Sequence, residues 1–150
     1  MDIFFMKKAL HYARMSAKKG EIPVGAVIVK NGEIIAWGNN KKENGKNALL
    51  HAEIIAINKA CKLLGGWRLI GCEMYVTLEP CPMCAGAIIN SRIEKVHIAT
   101  KDEKSGSFGG IINLNDHPFN HKPIIEYGLC EEEAKKMLKN FFVELRAKKI

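Results

Sequence analysis

The sequence lacks the features that would place this chain in a membrane or in an oxidising compartment. No apolar run among its 150 residues is long enough to span a bilayer. Residues 1–8 carry their acidic and apolar side chains before their lysines, the reverse of the order in a secretory signal. Five cysteines are an odd number and too few for a disulfide-stabilised scaffold. These absences predict a cytoplasmic protein with reduced thiols and no membrane association.

Acidic residues are also in short supply relative to basic ones. The chain has 23 Lys and Arg residues against 16 Asp and Glu residues, which gives a formal net charge of +7 at pH 7. This excess favours a polyanionic partner such as RNA, although a lysine-rich surface that only maintains solubility has the same composition. An apolar content of 47% is enough for one hydrophobic core. Residues 1–150 are therefore expected to form a single domain.

The hydrophobic pattern predicts an α/β fold with a mixed sheet of about five strands and helices on both faces. The Asn31-Gly32 pair is a hairpin signal that makes the first two strands antiparallel. Strands separated by helices are expected to be parallel. Residues 101–110 are expected to form a flexible charged loop, either a substrate loop or a plain connector. The predicted elements are helices at 2–19, 51–64, 81–90 and 131–149, and strands at 24–29, 34–38, 73–78, 95–99 and 124–127.

Cys81 and Cys84 form the most informative pair in the sequence. Their i, i+3 spacing places both sulfurs on one face of a helical turn, where they can reach one metal ion. The first turn of a helix also favours the thiolate form that zinc binds. His51 begins another helical pattern and supplies an imidazole as a third ligand. Because both turns precede helices on one side of the sheet, the sequence predicts one zinc site.

Glu53 lies two residues after His51 and is left out of this ligand set. A structural zinc site is closed by four protein ligands, whereas a catalytic site keeps one position for water. One histidine and two thiolates roughly neutralise the ion, so its water needs a base. Glu53 is predicted to accept that proton and pass it to the substrate and the leaving group. The alternative is a non-catalytic, zinc-stabilised RNA-binding module, whose fourth ligand would be Cys72 or Cys130.

These motifs together resemble the bacterial tRNA adenosine deaminases of the cytidine deaminase-like superfamily. The order H-x-E…P-C-x-x-C, at residues 51–53 and 80–84, is a known signature of zinc deaminases. The resemblance covers nearly the whole chain, and its continuation through the C-terminal half favours the tRNA branch. One departure is Asn-Ala-Leu-Leu at 47–50, where many members have Asp-Pro-Thr-Ala. The matching positions are 21–26, 40, 51–53, 75–87, 91–93, 102, 105–106, 117–118, 120–121 and 141–142.

The resemblance implies a three-layer α/β/α cytidine deaminase-like fold and a homodimer with one zinc ion per subunit. The implied reaction is hydrolytic conversion of adenosine to inosine at the wobble position of a tRNA anticodon loop. The alternative with the same chemistry is deamination of a free base or nucleoside of the guanine or cytosine type. The implied site residues are the zinc ligands His51, Cys81 and Cys84, the proton shuttle Glu53, and the substrate-binding residues Asn40 at the nucleoside, Asp102 near the RNA backbone, and Phe141 and Phe142 in the anticodon pocket.

Overall fold

A computed structural model describes residues 2–148, in which four α-helices surround one five-stranded sheet. The predicted first helix, 2–19, agrees with the structure to one residue at its end, whereas the predicted C-terminal helix ends at Lys149, outside the described residues. The helices are α1 (Asp2–Lys18), α2 (Ala52–Leu64), α3 (Pro82–Asn90) and α4 (Glu131–Ala147), and the strands are β1 (Gly25–Lys30), β2 (Glu33–Asn39), β3 (Cys72–Leu78), β4 (Lys95–Thr100) and β5 (Ile124–Tyr127).

The sheet has the mixed topology that the sequence predicts. Its strand order is β2-β1-β3-β4-β5, with β1 antiparallel to both β2 and β3. β4 lies parallel to β3 and to β5, as expected for strands that a helix or long crossover separates. The β1–β2 turn has positive φ at Asn31 (52°) and Gly32 (77°), which a two-residue type I′ hairpin requires.

An apolar cluster lies on each face of the sheet, between the sheet and the helices that cover it, so the fold has three layers. Alternate residues of the strands point to opposite faces, so Ile28 belongs to one cluster and Val27 to the other. The first cluster is closed by α2 and α3, and the second by α1 and α4. None of the helices within residues 2–148 is long and apolar enough to cross a membrane.

The predicted site residues lie near the end of the sheet at which β3 and β4 finish. β3 ends at Leu78 and leads into α3, and β4 ends at Thr100 and leads into the 101–110 loop. α2 packs closely on β2. The distance is so short that a Cβ atom at Gly38 would lie only 2.3 Å from the carbonyl oxygen of Ala52. Glycine at this position therefore allows the first turn of α2 to approach the sheet at β2.

Candidate active site

His51 and Cys81 occupy equivalent positions at the starts of two helices. His51 is the N-cap of α2 and Cys81 the N-cap of α3, and both have extended backbone conformations. Neither side chain forms a capping hydrogen bond with its own helix, so each is free to point at a shared centre. Pro82 follows at the first helical position, where its missing N–H costs nothing, and Cys84 lies in the first turn of α3.

The three predicted metal ligands converge on one point. Nδ1 of His51 lies 3.6 Å from Sγ of Cys81 and 3.6 Å from Sγ of Cys84. A tetrahedral zinc ion with ordinary bond lengths separates such a nitrogen and sulfur by about 3.5 Å. Imidazole nitrogen and thiolate sulfur are also ligands that zinc prefers. The donor set and its spacing therefore fit one zinc ion.

The protonation of this cluster is suited to binding a cation. A hydrogen bond with Cys84, and a second with His51, lower the pKa of Cys81 to about 4. The hydrogen bond with Cys81, together with burial, raises the pKa of Cys84. One thiolate is thus favoured before any metal binds, and a cation bound by both sulfurs favours the thiolate form of each.

No further cysteine completes this set among residues 2–148, where His51, Cys81 and Cys84 are the group placed to hold a metal. Cys72 begins β3, so it lies about 20 Å along the strand from the end that leads to Cys81. Cys130 packs against the apolar cluster on the other face of the sheet. The fourth ligand that a closed structural site would need from Cys72 or Cys130 is therefore not supplied.

Glu53 brings a carboxyl group to the same place. It lies in the first turn of α2 and its residue is only 4% exposed. Burial, which disfavours the charged form, raises the pKa of Glu53 to about 7. Glu53 shares the wall of one cleft with His51 and Cys81, so a molecule in this cleft meets the carboxyl and the metal ligands together.

This cleft is open to solvent, and its empty space of about 650 Å³ includes part of the open mouth. Two predicted substrate-binding residues, Asn40 and Asp102, lie in its wall. They stand on different loops, one after β2 and the other after β4. The lining residues are Ile22, Val24, Asn40, Lys42, His51, Ala52, Glu53, Leu78, Glu79, Cys81, Asp102 and Ser105.

Asn40 is held in a defined orientation at the rim of the cleft. Its amide donates to the carbonyl of Ile22 (3.3 Å), and its Oδ1 accepts from the N–H of Lys42 (3.1 Å). Its own carbonyl accepts a hydrogen bond of 2.8 Å from the Ser16 hydroxyl. The residue is thus rigidly placed beside the cleft, and its contact with a nucleoside remains a prediction.

Phe141 and Phe142 lie in α4 and border a neighbouring cavity. Their rings make an edge-to-face contact with centroids 5.4 Å apart. The cavity that they line shares Ile22, Asn40 and Lys42 with the cleft. The structure therefore places the two phenylalanines next to the cleft, separated from Glu53 by this shared wall.

Two buried glutamates at this edge of the sheet received no role from the sequence. Glu21 accepts hydrogen bonds from the backbone N–H groups of Glu43 and Asn44, and Glu79 accepts three from the 101–110 loop. Each therefore holds one loop beside the cleft. The available signal was an acidic residue close to an apolar strand, directly after β3 for Glu79 and four residues before β1 for Glu21. Exposed acidic residues at the ends of strands show the same pattern.

The 101–110 loop is more closely packed than its composition suggests. Gly106, Ser107 and Phe108 are buried within it, and only its flanks are exposed. The centre of the predicted flexible, charged loop is therefore packed inside the protein, and the flexibility of the loop stays a prediction. The backbone N–H groups of Ser107 and Phe108 donate to groups distant in sequence, the carbonyl of Pro80 and the carboxylate of Glu79, which composition alone does not reveal.

Comparison with known proteins identifies relatives along nearly the entire chain. The sequence model of the cytidine and deoxycytidylate deaminase zinc-binding region matches residues 1–100. A protein of Bacillus subtilis (strain 168) named tRNA-specific adenosine deaminase is 50% identical over 149 residues, which cover 99% of this chain and 92% of the relative.

Solved structures share the fold. One, from a study of A-to-I editing by tRNA:A34 deaminases at the wobble position of transfer RNA, has a TM-score of 0.88 and 39% identity, covering 90% of this chain and 99% of the other. The guanine deaminase of Bacillus subtilis has a TM-score of 0.62 and 32% identity, covering 91% of this chain and 92% of the other. The similarity extends well beyond the region that carries the metal ligands.

Proposed function

The chain belongs to the cytidine and deoxycytidylate deaminase zinc-binding family, and we propose that it is a tRNA adenosine deaminase that converts adenosine to inosine at the wobble position of an anticodon loop. The observation that carries the reaction class is the cleft in which buried Glu53 lies beside His51 and Cys81. The substrate class is supported by the relative that matches 99% of the chain and by the structural neighbour from A34 editing.

His51, Cys81 and Cys84 are the residues that would hold the zinc ion. When bound there, zinc supplies a Lewis acid that makes water a stronger acid and a better nucleophile. In this proposal the protein leaves one coordination position without a side chain, because the cluster offers three ligand atoms. The zinc-binding family to which the chain belongs supports the same assignment.

Glu53 is the proposed proton shuttle. Its carboxylate takes one proton from the attacking water and delivers it to N1 of the adenine ring, and then takes the proton of the new C6 hydroxyl and delivers it to the departing amino group. The C6–N bond breaks, a C6–O bond forms, and adenosine plus water gives inosine plus ammonia. Glu53 is only 4% exposed and lines the cleft, so this exchange takes place inside the cleft.

The remaining wall of the cleft suits a nucleotide that has left its stack. A base in an anticodon loop is extruded at lower cost than a base in a duplex. We assign the flipped nucleoside to the cleft beside Asn40 and the adjacent RNA backbone to the loop that carries Asp102. Phe141 and Phe142 then offer aromatic surface to neighbouring bases across the shared wall.

Basic side chains at the mouth of the cleft support an RNA substrate. Lys42 lines both the cleft and the neighbouring cavity, and Lys41 and Lys46 lie exposed on the same loop. Together with the net charge of +7, these lysines are placed to contact phosphates. We further propose that residues 1–150 act as one deaminase domain, that two copies form a homodimer, and that the enzyme works in the cytoplasm on tRNA.

A free base is the second candidate substrate, and one observation favours it. The guanine deaminase of Bacillus subtilis is 32% identical and has the same fold. Its resemblance is weaker than that of the tRNA:A34 deaminase structure in both TM-score and identity. A free base also leaves the basic loop and the phenylalanine-lined cavity without a ligand.

The decisive experiment is mass spectrometry of an anticodon stem-loop with a wobble adenosine after incubation with the zinc-loaded protein. Free adenine, guanine, cytosine and their nucleosides are tested in parallel, and a stem-loop with adenosine only in its duplex is the control RNA. Inosine at the wobble position alone supports the proposal. Deamination of a free base without a reaction on the stem-loop would assign the protein to the other substrate class.

A further inference from the structure

Glu79 is a buried carboxylate that the proposed reaction does not use. Its residue is only 2% exposed, yet three backbone N–H groups donate to its side chain. Oε1 accepts from Asp102 (3.0 Å), and Oε2 accepts from Phe108 (2.9 Å) and Gly110 (2.8 Å). All three donors belong to the loop after β4, so one side chain holds both ends of that loop.

The loop backbone is wrapped tightly around this carboxyl group. A Cβ atom at Gly106 would lie 2.4 Å from the carboxyl carbon of Glu79, and one at Gly110 would lie 2.7 Å from its Oε1. Real Cβ atoms do not approach other atoms so closely. Glycine at both positions therefore allows the backbone to reach the carboxylate without a side chain between them.

The same loop is attached to the turn that carries a metal ligand. The N–H of Ser107 donates to the carbonyl of Pro80 at 3.0 Å, and Pro80 lies between Glu79 and Cys81. From the other side, the Tyr127 hydroxyl of β5 donates to the carbonyl of Phe108. Glu79 and Pro80 thus fix the position of the loop relative to Cys81, the metal ligand that follows them.

We propose that Glu79 is a positioning residue, which holds the 102–110 loop against the metal-ligand turn and thereby places Asp102 for the RNA substrate. Asp102 lies at the first of the three bonds to Glu79, and both residues line the cleft. Glu79 itself acts on the substrate only through the loop. The RNA part of this inference rests on the proposed function, whereas the loop contact does not.

Replacement of Glu79 by glutamine tests this role at atomic resolution. Glutamine keeps the volume, but its amide group has one oxygen acceptor and one NH₂ donor. With its oxygen at the Oε2 position, it keeps the bonds from Phe108 and Gly110 and turns its NH₂ group toward the N–H of Asp102. The Asp102 end of the loop should therefore be released more than the Gly110 end.

Amide hydrogen exchange of the ¹⁵N-labelled, zinc-loaded protein measures this release directly. In Glu79→Gln the Asp102 amide should exchange at least about tenfold faster than in the wild type, with smaller changes at Phe108 and Gly110. Glu103→Gln removes an equal charge from an exposed side chain of the same loop and should leave these amides unchanged. Wild-type exchange at Asp102 in Glu79→Gln would overturn the proposal.

Kinetics on the anticodon stem-loop separate positioning from a general loss of structure. Glu79→Gln should raise KM about tenfold, change kcat by less than about threefold, and leave the zinc content unchanged. A fall in kcat and zinc content with KM unchanged would contradict the positioning role. If the wild type does not deaminate the stem-loop, the proposed function fails, and amide exchange still decides whether Glu79 holds the loop.

Gly110→Ala reaches the same contact from the loop and serves if Glu79→Gln does not fold. Its added Cβ would lie 2.3 Å from the carbonyl oxygen of Asp102 and 2.7 Å from Oε1 of Glu79. It should reproduce the faster exchange at Asp102 and the higher KM without any change in the metal turn. Because both changes break one contact, the double variant should match the single ones, and multiplied effects would overturn the proposal.

Discussion

Nδ1 of His51 lies 3.6 Å from Sγ of Cys84, although the two residues are 33 positions apart in the sequence. The contact joins the starts of α2 and α3, which pack side by side on one face of the sheet. Its length agrees with the separation of about 3.5 Å between nitrogen and sulfur ligands of a tetrahedral zinc ion. The two helix starts are therefore already arranged for a shared ion.

Removal of one sulfur should remove the metal. Cys84→Ala should leave less than about a tenth of the wild-type zinc, because a site with two protein ligands binds zinc weakly. Cys61→Ala, on the same helix as Glu53 but outside the cluster, should keep full zinc content. The check is metal analysis of the purified variants, together with X-ray absorption of the wild type. Two sulfur ligands are expected, and three would indicate a closed structural site.

Replacement of Glu53 by glutamine should stop the reaction without emptying the site. Glutamine fits the same buried space but cannot accept or deliver the proton, so kcat should fall by about a thousandfold or more. Zinc content should stay at the wild-type level because Glu53 is not among the three converging ligands. Single-turnover assays on the stem-loop measure this loss. A variant that retains more than about a tenth of the wild-type rate would exclude Glu53 as the shuttle.

Glu21 should make the stability of the protein depend on acid pH. Burial alone would raise the pKa of Glu21, but hydrogen bonds from the backbone of Asn44 and Glu43 and from the Asn44 amide hold it below its ordinary value of 4.5. The folded state therefore binds this proton less readily than the unfolded state does. The stabilisation is complete above pH 4.5 and is lost as the pH falls through the lowered pKa.

Glu21→Gln tests this dependence. The variant should lose about 1–3 kcal/mol of unfolding free energy at pH 7, because a backbone N–H that donates to the buried Glu21 side chain is left without an acceptor. Its deficit relative to the wild type should shrink as the pH is lowered below 4.5. Urea unfolding at a series of pH values provides the measurement, with Asn44→Ala as a variant that removes one of the bonds. A deficit independent of pH would show that Glu21 contributes through packing alone.

Lys42 should contribute to RNA binding through its charge. It lines the cleft and the neighbouring cavity, so Lys42→Ala should weaken stem-loop binding and reduce the slope of log K against log salt by about 0.7. Lys62, which lies in the last turn of α2 away from His51, provides a matched control, and Lys62→Ala should keep the wild-type slope. Equal slopes for the wild type, Lys42→Ala and Lys62→Ala would show that Lys42 does not contact a phosphate.

Leu50, part of the 47–50 departure, should matter for stability and not for substrate choice. Its Cδ1 atom packs over Gly45, where a Cβ would lie 2.3 Å away, and its residue does not line the cleft. Leu50→Ala should cost about 1–2 kcal/mol of unfolding free energy, since the side chain is only half buried. The preference for the stem-loop over guanine should be unchanged. A variant that gains guanine deaminase activity would contradict this expectation.

Local patterns account for the parts of the fold that the sequence predicts well. The Asn31-Gly32 hairpin, the i, i+3 spacing of the two cysteines and the helical periodicities each involve residues a few positions apart. Such patterns reflect backbone conformation and side-chain direction, and both depend on residues only a few positions apart. The mixed sheet then follows from the lengths of the connections between its strands.

The amino-acid sequence by itself thus determined the element types, the donor chemistry around Cys81 and Cys84, and the resemblance to deaminases. Only the tertiary structure decided that Glu21 and Glu79 each hold a loop, that the centre of the 101–110 loop is buried, and that Leu50 lies outside the cleft. The roles of Glu21 and Glu79 depend on contacts between residues 22 to 31 positions apart. A glutamate has the same place in the sequence whether its carboxylate is buried or exposed. Only the folded chain determines which backbone N–H groups donate to that carboxylate.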